Sequence, residues 1–241
     1  DIGNYVIKWE TDPVMEGIVK MTVSDNPDLF TNESPIIYAN IKDGVATYIT
    51  NDNISRKYFR LSFNDKYARI IGARSAVMDS VQNFRDLGGY TSTNGKTVKW
   101  GKVFRSGELS SLSEWDSIRL DNLGIKTIID LRTPEELNNY PQIQKGFNVV
   151  HIPIATGNME KVLQGIQEGK IKGDTINRIV ERMNRELVIN YRDEYKKLFE
   201  LLLDRNNYPA IIHCSSGKGR TGIASALVLA TLGVNEDIIM Q

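Results

Sequence analysis

The run from Tyr208 to Ala230, YPAIIHCSSGKGRTGIASALVLA, constrains this chain more than any other segment. Pro209 to His213 reads as a short apolar strand, and Gly222 to Ala230 has the Ala, Leu and Ile composition of a buried helix. Between them Cys214 to Arg220 turns the chain through two glycines. Strand, tight loop and helix in that order belong to an α/β fold. The unit gathers the backbone N–H groups of Ser215, Ser216, Gly217, Lys218, Gly219 and Arg220 at a helix N-terminus, where unsatisfied donors and the helix dipole hold a phosphate dianion. Arg220 adds a planar fork suited to two phosphoryl oxygens, and Lys218 adds positive charge at the rim. The same field stabilises a thiolate at Cys214 and makes it an effective nucleophile.

Other loop chemistries are excluded by spacing. A nucleotide-binding Walker loop needs G-x-x-x-x-G-K-[ST], whereas here Gly217-Lys218 follows the cysteine too closely and is followed by glycine. A dithiol redox site needs a second cysteine to resolve the first, and the chain has one Cys. With two His beside it, a Cys/His zinc centre lacks ligands; carboxylate metal sites stay open but have little support, and no metal or other cofactor is expected. Thirty basic and thirty acidic residues give a net charge of zero, and no global field draws the chain to nucleic acid. No apolar run approaches the roughly 20 residues of a transmembrane helix.

Residues 5 to 73 have a different texture. YVIKW, GIVKMTV, PIIYANI, GVATYIT, KYFRLSF and ARIIGA alternate apolar and polar residues. They are separated by turn-formers at Ser24 to Pro27, Asn32 to Pro35, Asp43-Gly44 and Asn51 to Asn53. This predicts an antiparallel, sandwich-like accessory domain over residues 1–75, with Tyr58 and Phe59 packing rather than binding a ligand. From residue 76 to 241 an α/β domain is expected, with a central mixed sheet flanked by helices. TVKW and KVFRS around Gly101 suggest a hairpin, Ser110 to Leu123 a helix stopped by Gly124, and KTIIDL a buried strand. Thr133, Pro134, Glu135 and Glu136 open a further helix. VVHIPI is another strand candidate, and helical spacing runs from about Asn158 to Gln167 and from Asp174 to Leu203. The stretch 156–205 reads either as packing against the sheet or as a lid.

The run His213, Cys214, five residues, Arg220, Thr221 resembles the signature of the cysteine-dependent protein tyrosine phosphatase superfamily. NFRDLGG at 83 to 89, FRSGEL at 104 to 109, LGIKTIIDLRTPEE at 123 to 136 and the loop itself resemble more closely its bacterial tyrosine phosphatase-like group, over residues 80 to 241. The resemblance implies a hydrolase with a phosphate-binding P-loop and metal-independent turnover of phosphate monoesters through a cysteinyl-phosphate. Protein phosphotyrosine is the first substrate implied, with dual specificity; phosphoinositides or inositol phosphates, and non-catalytic phosphate docking, are the alternatives. The related enzymes usually carry Asp after the loop lysine, where this chain has Gly219. That departure weakens the wider specificity the lysine would imply.

Under this resemblance Cys214 attacks, Arg220 and the loop amides stabilise the equatorial oxygens, and Thr221 donates to the cysteine sulfur in the second step. His213 and Asp86 support the loop. Asp130, ending the strand IIDLR, is the first choice of general acid, Asp86 the second, and Asp174, Glu181 and Asp193 lie in the lid candidate. Inositol phosphates would want further cations near Lys218, for which Arg85, Arg105, Lys126 and Arg132 are available. A carbohydrate groove at Trp9 or Tyr38 would favour an adhesion role. The expected partners are a phosphorylated protein or a small phosphate ester, with cell-surface or phosphoinositide contact as a further expectation. The accessory domain and the start at Asp1 tilt the expected location toward export, whether periplasmic, secreted or lipid-anchored, with the cytoplasm as the alternative.

Overall fold

The computed structural model describes residues 3–30, 34–141, 146–156 and 159–241. The expected break at Asn32 and helix start at Asn158 lie outside them. Every apolar alternation in the N-terminal third forms a strand: β1 (Gly3–Lys8), β2 (Ile18–Ser24), β3 (Ile37–Asn40), β4 (Val45–Thr50), β5 (Tyr58–Phe63) and β6 (Tyr67–Gly72). β1 pairs antiparallel with β4, and β3-β2-β5-β6 form a second antiparallel sheet. The two layers close on Ile7, Val19, Met21, Ile41, Phe59 and Leu61, which makes the region sandwich-like. Tyr58 and Phe59 are both buried. Trp9 packs against the same core and donates its indole N–H to the Ile41 carbonyl at 2.7 Å, whereas Tyr38 is exposed on β3. Trp9 is thereby committed to the interior rather than to a groove.

The second region is built on a five-stranded mixed sheet in the order β10-β9-β11-β8-β7. Its strands are β7 (Arg85–Asp86), β8 (Val103–Ser106), β9 (Thr127–Asp130), β10 (Asn148–His151) and β11 (Ala210–His213). All pairings are parallel except β7 with β8. β11 is central and wholly buried, because alternate residues serve opposite faces. Ile212 joins Ile129 and Leu131 in one core, while Ile211 joins Ile128, Phe104 and Leu120 in the other. Around the sheet lie α1 (Glu114–Asn122), α2 (Pro134–Asn139), α3 (Met159–Gln167), α4 (Asp174–Ile189), α5 (Arg192–Leu203), α6 (Gly219–Thr231) and α7 (Glu236–Ile239).

Two expectations change. TVKW does not pair with KVFRS, since β8 takes β7 as its antiparallel neighbour and the preceding segment folds on itself through Gly89 N–Val98 O and Val98 N–Tyr90 O bonds. Trp100 is drawn inward against Tyr58 and gives its N–H to Ile70 O at 3.1 Å. The long apolar stripe is divided: Leu187, Tyr195 and Leu198 belong to the core that contains Ile212 and Cys214, while Val180 is exposed. Its distal half is sheet packing.

Among the described residues the two regions are joined by two ion pairs, one buried and one at the surface. Arg56 in the β5 approach forms an ion pair with Asp86 at 2.5 Å, their side chains 7% and 0% exposed. The Arg56 guanidinium also lies over Tyr58 and Trp100, and Lys102 reaches Asp28 at 2.7 Å.

Candidate active site

Parallel pairing sets His213 beside Ser106 of β8 and Asp130 of β9, so the loop after β11 leaves the carboxyl edge of the sheet between two further strand ends. Cys214 is 1% exposed in the core. The chain bends at each of Ser215 to Lys218, and α6 begins at Gly219, inside the motif rather than at Gly222. The amides of Ser215 to Lys218 make no hydrogen bond among the described residues, and those of Gly219 and Arg220 fall in the first turn of α6, which has no intrahelical use for them. This is an oxyanion cradle with its donors free.

The loop is braced from outside. Asn83 Nδ2 donates to Ser216 O at 2.8 Å, Glu108 N to Ser215 O at 2.9 Å, and Arg105 Nη2 to Gly217 O at 2.8 Å. Gly217 has φ of 67°, and a Cβ there would stand 2.6 Å from the carbonyl of Ser106 and 2.5 Å from Gly107 N. Only glycine fits.

Arg220, 5% exposed, is clasped by Glu136 from α2. Nη1 and Nη2 donate to the two carboxylate oxygens at 2.6 Å each, and Nη1 also reaches the carbonyls of Leu131 and Ile154. The Nε edge makes none of these bonds. Ser215 Oγ donates to the same carboxylate at 2.5 Å. Glu136 is delivered by a capping box, with Thr133 Oγ1 accepting from Glu136 N while Thr133 N donates back to Glu136 Oε2. Burial pushes the Glu136 carboxyl up, but the bonds from Arg220 and Ser215 prevail and hold it down to about 2. Burial opposes the Arg220 charge, and Glu136 with Cys214 more than offsets it, raising the guanidinium above its ordinary value.

Asp130, the sequence's first choice of general acid, is enclosed rather than open to the loop's mouth. Its side chain is 1% exposed and lies in a bidentate pair with Arg132, Nε at 3.0 Å and Nη2 at 2.8 Å, while Arg132 N also donates to it. Burial favours the neutral acid, yet Arg132 overrides it and lowers the pKa. Both oxygens of this enclosed carboxylate are engaged by Arg132. Its geometry is that of a scaffold, with His213 Nε2 at 3.5 Å. Burial pulls the His213 pKa down to about 4, so the ring is neutral. Asp86 is likewise enclosed, accepting from Arg56, Gly88 N and Gly101 N, and it steadies the β7–β8 joint rather than touching the loop. Thr221 Oγ1 is buried without a hydrogen bond among the described residues, so the expected bond to sulfur is not formed.

Residues 76–241 match the tyrosine phosphatase family. The chain belongs to that family. A Cupriavidus necator protein described as a tyrosine-protein phosphatase is 28% identical over 177 residues, 72% of this chain and 63% of that one. The triple specificity protein phosphatase PtpB of Mycobacterium tuberculosis is 27% identical over 180 residues, 66% and 64% of the two chains. This tyrosine phosphatase family member thus spans less than two thirds of the length of either relative. Among solved structures, the catalytic core of the PP-IP phosphatase SIW14 of S. cerevisiae is a distant likeness, 18% identical over 68% of this chain and 74% of that one, with a TM-score of 0.39.

Lys218 is exposed at the rim, and each further cation that the sequence offers for a polyphosphorylated substrate has its own setting. Arg132 is spent on Asp130. Arg85 and Arg105 line a cavity with Gly222 and Ser225 of α6, behind the loop. Lys126 precedes β9 and donates its amide to Pro209 O, at the sheet edge opposite the loop. Glu181 and Asp193 are exposed on α4 and α5, and the side chain of Asp174 lies outside the described residues. Among the described residues no cluster of three or more His, Cys, Asp or Glu could hold a metal ion, and no helix is long and apolar enough to cross a membrane. Sequence reading missed Glu136, Asn83 and Arg105 as builders of the site. The first carries a visible signal, the T-x-x-E capping box beside a motif strand.

Proposed function

We propose that this family member hydrolyses phosphate monoesters through a cysteinyl-phosphate on Cys214, with phosphotyrosine in proteins as its substrate class. The observation carrying this reading is the set of unspoken-for amides from Ser215 to Arg220 beside a buried cysteine and a clamped arginine. In the first step the thiolate forms an S–P bond as the P–O bond to the leaving group breaks, and an acid protonates that oxygen. In the second, water attacks phosphorus, the S–P bond breaks, and the proton returns to the carboxylate. Loop amides and Arg220 carry the charge of the equatorial oxygens in both steps, so no metal is called for. Arg85 and Arg105 lie together behind the loop, Lys126 precedes β9 and Arg132 is paired with Asp130, an arrangement that favours a single phosphoryl group over an inositol polyphosphate.

With Asp130 and Asp86 enclosed and Glu136 engaged as an anion, Glu108 takes the role of general acid. Its amide is bonded to Ser215 O, and its carboxylate is 35% exposed and only loosely approached by Arg132, at 3.7 Å.

The test is turnover of p-nitrophenyl phosphate in EDTA by the chain and by Cys214→Ser, followed by phosphotyrosyl peptide against phosphoinositide. Turnover that survives EDTA and vanishes in Cys214→Ser is expected; activity retained in Cys214→Ser overturns the mechanism. For Glu108→Gln the loss should be small with p-nitrophenolate, a good leaving group, and about 100-fold or more with phosphotyrosine. Equal losses on both substrates would remove Glu108 from the chemistry.

A further inference from the structure

We propose that this protein carries a second oxyanion site behind the cysteine loop, built by Arg74, Arg85 and Arg105 and sized for one tetrahedral ion of the phosphate or sulfate class. The three arginines line a cavity of about 120 Å³ whose floor includes Gly222 and Ser225 of α6. Its only acidic side chain among the described residues is Asp86, already shared by Arg56, Gly88 N and Gly101 N. One shared carboxylate does not answer three guanidinium charges. Arg74 donates only to the carbonyls of Gly88 and Asp86 and stacks over Tyr90 at 3.7 Å. Arg85 makes no side-chain hydrogen bond or ion pair among the described residues. Arg105 spends one N–H on Gly217 O, while its Nε is buried without a partner.

Convergence of like charges in a partly desolvated cavity is unfavourable until an anion enters. The pull on Arg105 shows the strain: burial, then the neighbouring Arg85 charge, lower its pKa. A bound oxyanion would satisfy the planar forks of Arg85 and Arg105 together. Arg105 also holds Gly217, so the rear site and the cradle in front of the loop share one side chain, and occupancy of one is felt at the other.

The experiment is calorimetric titration of inorganic sulfate into the full chain with its cradle occupied by one equivalent of vanadate. One further equivalent of sulfate should bind, and Arg85→Gln should weaken it tenfold or more while leaving p-nitrophenyl phosphate turnover in sulfate-free buffer unchanged. A parallel selenate soak of crystals should place an anomalous peak between the three arginines. Sulfate affinity unchanged in Arg85→Gln, or no heat together with no selenate peak at this position, overturns the proposal.

Discussion

Replacing Glu136 by glutamine isolates the arginine clamp with almost no change of shape. In the native site each carboxylate oxygen accepts a 2.6 Å bond from Arg220, and Oε1 takes a third from Ser215. Glutamine keeps one acceptor and turns an amide NH2 toward a guanidinium, so one charge-assisted bond is lost and the other becomes a bond to a neutral group. Hydrogen bonds to charged groups contribute about 1.5–3 kcal/mol. Charged to the orientation of Arg220 in the transition state, that corresponds to a fall in kcat of about 10- to 100-fold. The effect on KM runs the other way, because glutamine removes a negative charge standing beside the phosphate dianion. KM for p-nitrophenyl phosphate should hold or fall. The signature is a lower kcat without a weaker KM, read from steady-state kinetics at fixed ionic strength. Equal kcat in Glu136→Gln and the parent chain, or a loss wholly in KM, would refute the clamp. The pH dependence has a definite sign: the folded carboxyl is depressed to about 2, so the clamp's contribution to stability is fully present above the ordinary carboxylate range and is lost as pH falls through about 2.

Gly217→Ala puts a methyl group against the backbone of Ser106 and Gly107 at a positive φ, so turnover should disappear while circular dichroism of the sheet and helices persists. An active Gly217→Ala protein would contradict the described loop. Asp130→Asn leaves Arg132 buried with its charge half-answered, and denaturant unfolding should report a loss of about 3–5 kcal/mol. Its pH–rate profile, measured well below the unfolding transition, should match that of the parent chain; a lost limb would return Asp130 to the list of acids.

Much of this architecture is legible in the sequence because it rests on local rules. The strands β1 to β6 follow period-two alternation, and the helix after Thr133 follows from its cap and Pro134. The cysteine loop is legible for the same reason, since its chemistry lies in consecutive residues. What the sequence conceals is direction. The strand-end rule places Asp130 at the right edge of the sheet, but Arg132, two residues on, folds back and encloses it. Arg105 sits on a strand beside the site and points to its rear. Glu136 reads as a dipole-friendly residue in a first turn, and only tertiary packing of α2 against the loop brings it to Arg220. Asn83 is hidden in a motif whose glycines draw the eye, although its side chain braces Ser216 from 133 positions away.

The Arg56–Asp86 pair separates two boundaries that are easily conflated. The family match begins at residue 76, yet a chain cut there would leave Asp86 without its cationic partner, Trp100 with its N–H deprived of Ile70, and Lys102 without Asp28. Loss of these contacts should loosen the β7–β8 joint beside which Asn83 and Arg105 steady the loop. The matched segment and the packed unit therefore differ, since the sandwich supplies part of its neighbour's interior contacts. Urea melts of the intact chain should accordingly show one transition reported alike by Trp9 in the first region and Trp115 in the second.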